Sequence, residues 1–146
     1  MGESRIVFSR TLAAPATSVL VTKIPVNPPK AAPAVGPYNT AVRAGELLFC
    51  SGQIPLDPET GQMVVGDIKN QTRRVLENVK TILEHEKLTF ANVVKATVYL
   101  TDMGDFSDVN EIYAEYFTEP YAARAAVAVS ALPKGADVEI EVIAHY

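Results

Sequence analysis

A chain of 146 residues is the length of one domain able to bury its own core. Hydrophobic residues make up 48% and charged residues 21%, a globular profile, and no apolar run approaches the roughly 20 residues of a bilayer span, which excludes a membrane segment. Thirteen basic residues against 17 acidic ones leave a net charge of −4, which repels phosphate backbones and argues against nucleic acid as a partner.

Residues 1–24 read as an N-terminal extension. They hold Arg5, Arg10 and Lys23, six hydroxyl residues and a single acid, Glu3. That composition suits a mitochondrial transit peptide, whereas Arg5-Ile6-Val7-Phe8 also suits a first strand. The expected location is the cytoplasm, with the mitochondrial matrix as the alternative. Residues 25–146 form the expected domain.

Five prolines between 25 and 37 predict an extended loop, because proline fixes φ and removes a donor. Tyr38 to Arg43 and Glu46 to Ser51, parted by Ala44-Gly45, predict a β-hairpin. Cys50 is the only cysteine, so no intrachain disulfide can form. Its apolar neighbours Leu48 and Phe49 favour a buried, inert thiol over a nucleophile. From Asp67 the period changes: Val75, Leu76, Val79, Ile82 and Leu83 form one stripe of an amphipathic helix, with Lys69, Arg73, Glu77, Lys80 and Glu84 on a solvated face. Val94, Ala96, Val98 and Leu100 alternate with Lys95, Thr97 and Tyr99, as a strand does. Asp105 is the expected N-cap of a second helix bearing Phe106, Val109, Ile112, Tyr113, Tyr116 and Phe117, and Pro120 stops it. Tyr99, Tyr113, Tyr116 and Phe117 are read as core or subunit packing.

The end of the chain reads as a second hairpin, Arg124 to Leu132 and Asp137 to His145 around Pro133-Lys134-Gly135-Ala136. In that register Ser130 faces Glu139, Arg124 faces His145, and Arg124, Ala126 and Ala128 share the face of Glu139. The order is ββαβαββ, with room for one more strand near the N-terminus. It implies an α+β fold, a mixed β-sheet with two helices packed on one face.

Two histidines, His85 and His145, have no metal-ligand spacing with other donors. No nucleophile elbow or Gly-rich phosphate loop is present either. The expectation is therefore no metal and no cofactor. Arg124 stands alone among small apolar residues, where a guanidinium is costly unless it is paired. It suits either a bidentate carboxylate clamp or a structural ion pair with a glutamate on the next strand, and both readings stay open.

Several blocks then resemble, in order, the RidA (YjgF) family. They are Gly36-Pro37-Tyr38, Cys50-Ser51-Gly52-Gln53-Ile54-Pro55, Val79-Lys80-Thr81-Ile82-Leu83, Asp102 to Phe106 with Val109-Asn110, Ala122 to Val127, Leu132-Pro133 and Val138-Glu139-Ile140-Glu141. The resemblance implies a homotrimer with a chorismate-mutase-like barrel of sheets and clefts between subunits. It implies hydrolysis of 2-aminoacrylate/2-iminopropanoate and 2-iminobutanoate to 2-keto acids and ammonia. By position Arg124 is similar to the carboxylate clamp and Glu139 to the residue that orients water; Tyr38, Ser51, Gly52, Asn110 and Ala126 fall on pocket positions. The sequence departs from the common pattern at Ala122, Ala125 and Ala126, where relatives carry proline, serine and cysteine; the last position serves through its backbone. A non-catalytic 2-keto-acid binder using the same arginine is the alternative, and an RNA-cleaving activity is disfavoured by the charge. In the hairpin register Arg124 and Glu139 lie about six residues, roughly 20 Å, apart. That predicts sites shared between subunits.

Overall fold

The computed structural model describes residues 22–146, so the possible strand at 5–8 lies outside the described residues. Eight elements follow in chain order: β1 (Ile24–Val26), β2 (Ala41–Ala44), β3 (Leu47–Gln53), α1 (Ile68–His85), β4 (Val93–Leu100), α2 (Phe106–Tyr116), β5 (Ala123–Ala128) and β6 (Val138–His145). The strands form one mixed sheet in the order β1-β2-β3-β6-β4-β5. All neighbours are antiparallel except β4 and β5.

The first hairpin forms as expected, closed by Gly45-Glu46 with Gly45 at φ 60°, a conformation that glycine adopts without a Cβ penalty. Asp67 caps α1, its carboxylate accepting from the Asn70 amide at 2.9 Å. The stripe Val75, Leu76, Val79, Ile82 and Leu83 is fully buried. It packs with Val109, Ile112, Tyr113 and Phe117 of the α2 region and with Leu48, Ala96, Val98, Leu100, Val138, Ile140 and Val142 of the sheet. Both helices thus cover one sheet face. Among the described residues no helix is long and apolar enough to cross a membrane.

Four expectations need correction. The proline segment contains β1, and Pro25 is tolerated there because β1 is an edge strand. The polar side of α1 is partly docked: Lys69 pairs with Glu111, Arg73 with Glu115, and the Tyr116 hydroxyl donates to Glu77. Asp105 stands at the N-cap of α2 but its side chain caps nothing; Asp102 instead accepts from the Gly104 amide.

The fourth correction is the largest. Arg124 to Leu132 and Asp137 to His145 do not form a hairpin. β5 ends at Ala128 and runs parallel to β4, while β6 inserts between β3 and β4. The connection crosses the end of β4, where Val129 donates to the Leu100 carbonyl and Thr101 to that of Asp137. The physical reason is burial. Val138, Ile140, Val142 and Ala144 form a continuous apolar face that is satisfied only at the centre of the sheet under α1. The alanines of β5 have far less to bury, and β5 takes the edge.

Candidate functional site

Glu139 projects from β6 onto the sheet face that carries no helix among the described residues, level with Tyr99 of β4. It lines a cavity of about 430 Å³ with Tyr38, Ser51, Gly52 and Glu141, between apolar walls that include Ile54. The β3–β6 ladder is irregular between Cys50 and Gln53, and such bulges re-aim side chains beside sites. Ser51 is fixed there, its amide donating to the Thr40 carbonyl and its hydroxyl to that of Asn39. Gly52 lies against Glu139 so closely that a Cβ on it would overlap the carboxylate. Burial, and then the neighbouring Glu141 charge, push the Glu139 carboxyl above the usual carboxylate value.

Arg124 projects to the opposite face. Its Nη1 donates to Asn110 Oδ1 at 2.8 Å, and the guanidinium lies 4.8 Å from the Tyr113 ring centre and 5.6 Å from that of Phe106. Asn110, Tyr113 and Phe106 share one face of α2 at i, i+3 and i−4, so a single helix holds the arginine from one side. A second cavity, of about 460 Å³, is lined by Asn110, Tyr113, Ala114, Tyr121, Ala122 and Arg124. Arg124 makes no ion pair among the described residues, so the adjacent-strand glutamate is not its partner. Two rings and an amide orient the guanidinium while leaving its charge available for an anion.

The candidate residues therefore divide into two groups: Tyr38, Ser51, Gly52 and Glu139 in one cavity, Asn110 and Arg124 in another. Arg124 is level with Ala96 and Val142, which are buried under the helices; Glu139 is level with Tyr99 and, across β4, with Val127. The shared face expected for Arg124 and Glu139 is thus wrong, because β5 pairs with β4 and not with β6. Ala126 lines neither cavity; level with Val98, it packs on the core from the edge strand. Cys50 is buried, and desolvation with the nearby Glu86 charge pushes its thiol up to about 12, in keeping with an inert residue.

The family model described as endoribonuclease L-PSP matches residues 29–146. The chain belongs to the RidA (YjgF) family. Among RidA-family relatives, the chain is 58% identical over 111 residues to a RutC family protein of Pyrococcus horikoshii, covering 76% of this chain and 88% of that one. It is 47% identical over 127 residues to the 2-iminobutanoate/2-iminopropanoate deaminase of Bos taurus, covering 87% and 92%. The crystal structure of the Rid-family protein YyfA from Yersinia pestis superposes with a TM-score of 0.83 at 45% identity, covering 86% of this chain and 100% of that one.

Against this RidA-family background, three residues carry weight that sequence reasoning did not give them. Tyr113 was read as packing, yet it also carries the Arg124 guanidinium; its spacing from Asn110 on one helix was the available signal. Asn78, between Leu76 and Val79 of the helix stripe, is buried and donates to the carbonyls of Ile54 and Leu56. It ties the wall of the Glu139 cavity to α1. Tyr99 donates its hydroxyl to Glu141 at 2.8 Å, a contact that depends on β4 and β6 being neighbours.

Proposed function

We propose that this RidA-family chain hydrolyses 2-imino acids, 2-aminoacrylate/2-iminopropanoate and 2-iminobutanoate among them, to 2-keto acids and ammonia, at sites assembled between copies of the chain. The observation that carries this reading is the pair of half-sites: an oriented, unpaired arginine on one sheet face and a base-like glutamate in a separate cavity on the other. Arg124 and Glu139 are separated by about 10 Å along the strands, about 10 Å across them, and the sheet itself. One chain cannot bring both to a three-carbon substrate, whereas Arg124 of the partner subunit, standing on the edge strand β5, can reach Glu139 if that edge overhangs the helix-free face. That face exposes Phe49 and Val127 (each 42% accessible), an apolar surface that association would cover. A homotrimer is the assembly proposed.

The chemistry suits these residues. A 2-imino acid is a carboxylate next to an electrophilic C=N carbon. The arginine fork binds the carboxylate and fixes the carbon's position, and orientation of this kind can lower a barrier by several kcal/mol. Glu139 takes a proton from water as the water oxygen bonds to the carbon, and passes that proton to the imine nitrogen, which gives a carbinolamine and frees the carboxylate again. Glu139 then removes the proton of the new hydroxyl as the C–N bond breaks, the C=O bond forms, and nitrogen leaves as ammonia with the proton returned to it. General base help is typically worth about 10²–10⁴-fold.

The deaminase name borne by the bovine relative supports the same substrate class. The test is release of ammonia or keto acid from enzymatically generated 2-aminoacrylate and 2-iminobutanoate, comparing wild type with Arg124→Ala. Acceleration that the variant loses supports the deaminase. A folded protein that binds 2-keto acids without accelerating hydrolysis overturns it in favour of a binding protein, with the alanines around Arg124 as the cause.

A further inference from the structure

Glu139 is not the only acid in its cavity. Glu141 follows two residues later on β6, so the pleat turns both carboxylates to the same helix-free face. The two acids are treated differently by their neighbours. Tyr99 stands directly opposite Glu139 in the β4–β6 register, yet its hydroxyl reaches diagonally and donates to Glu141 Oε1 at 2.8 Å. Glu139 has no hydrogen-bond donor among the described residues' side chains, and its carboxylate lies against the bare backbone of Gly52. One acid is tethered and the other is left free beside the substrate space.

We propose that Glu141, anchored by the Tyr99 hydroxyl, is a positioning residue for the deamination: a fixed negative charge that makes Glu139 the stronger base. This rests on the deaminase reading above, and gives a role to the second glutamate of the Val138-Glu139-Ile140-Glu141 run. The hydrogen bond from Tyr99 holds the Glu141 carboxylate in one place on the face it shares with Glu139. Two like charges on one strand face disfavour ionising both, so the untethered acid holds its proton more tightly. The direction found for Glu139, upward through burial and then through Glu141, agrees.

The groups facing Glu139 are few. From β6 there is Glu141 and from β4 Tyr99; Tyr38 comes from the loop before β2, while β3 contributes Ser51 and Gly52, which carry no charge. Lys95 lines an adjoining cavity with Thr97, Ser51 and Glu141, and makes no ion pair with either glutamate among the described residues. In the proposed assembly, Arg124 of the partner subunit is a cation brought to Glu139, and it acts alike in wild type and variant.

The test is Glu141→Gln, which keeps an oxygen to accept from Tyr99 and removes the charge, with Tyr99→Phe as the second variant. Two readings are taken on the full-length oligomer: ¹³C carboxyl NMR titration of Glu139, assigned through Glu139→Gln, and the pH profile of kcat. In Glu141→Gln the Glu139 midpoint moves to lower pH, the plateau kcat falls about three- to tenfold, and activity persists further into acid than in wild type. Tyr99→Phe, which frees the Glu141 carboxylate, moves the midpoint in the same direction by less. A merely structural defect would lower the rate equally at every pH. A Glu139 midpoint unchanged in Glu141→Gln overturns the proposal, whatever the activity. A midpoint that moves in a protein with no deaminase activity leaves the charge coupling standing and overturns the functional reading instead.

Discussion

Arg124 and Glu139 lie on opposite faces of one β-sheet: Arg124 is level with the buried Ala96 and Val142, and Glu139 with Tyr99 on the side no helix covers. Strand alternation makes this arrangement rigid, since neither side chain can change face without a register slip of its whole strand. If both serve one reaction, they do so from different chains.

Mixing two inactive variants tests this directly. Arg124→Ala and Glu139→Gln should each lose at least about 10²-fold in kcat/KM. After unfolding and refolding together at equal concentration, about a quarter of the sites pair an intact arginine with an intact glutamate from another copy. Recovery of about that fraction of wild-type activity is expected. No recovery from a properly assembled mixture would sink the shared site.

Gly52→Ala should be far more damaging to activity than to stability. The added methyl occupies the space of the Glu139 carboxylate, which must swing away from the position where it meets water. A loss of about 10²-fold in kcat is expected, with the melting temperature changed by only a few degrees. A near wild-type rate would show that Glu139 works from elsewhere.

Activity should depend on pH through Glu139. The carboxyl must be ionised to accept a proton, and burial with the Glu141 charge raises its midpoint above that of an ordinary glutamate. The rate therefore falls as the solution is acidified through that raised midpoint, and Glu139 is fully competent only above it. A pH–rate profile whose acidic limb lies at or below the free-glutamate value of about 4.3 contradicts this assignment.

Asn78→Leu should destabilise the fold and loosen the cavity wall. The amide donates to the Ile54 carbonyl at 3.2 Å and to that of Leu56 at 2.9 Å, while its oxygen accepts from Arg74. Leucine would leave the buried Leu56 carbonyl without this donor and the Ile54 carbonyl with the Leu56 amide alone, a loss of about 1–3 kcal/mol by chemical denaturation. A variant as stable as wild type would mean that water or a rearranged loop replaces those bonds.

Cys50 should resist thiol reagents in the native protein and react once unfolded. Its thiol is buried, and its pKa, pushed up to about 12, leaves almost no thiolate at neutral pH. Rapid labelling of the folded chain would show that the strand opens.

The sequence determined whatever depends on neighbours along the chain. The α1 stripe is buried as its period requires, Asp67 caps where a helix must begin, and Gly45 closes the first hairpin. The alternation in β6, and in β4 from Ala96 onward, also marks which residues face the core; Val94, expected inward, is exposed and Val93 buried, because the β4–β6 ladder shifts register between Val93 and Lys95. Glu139, Ser51, Gly52, Arg124 and Asn110 were all legible as candidates, largely through the family resemblance. Strand partnership was not legible, and it decided the site. The four-residue turn expected at 133–136 favours a hairpin locally, but loop length carries no information about burial. β6 has a full apolar face to cover and β5 has alanines, so the tertiary fold places β6 at the centre under α1 and leaves β5 at the edge. That exchange moved Arg124 to the far face, set Tyr113 beneath its guanidinium, and brought the Tyr99 hydroxyl to Glu141. These contacts join residues 11 to 42 positions apart in the chain, or turn on which face a strand presents. Both are fixed only when the competing apolar surfaces of the whole chain are buried together.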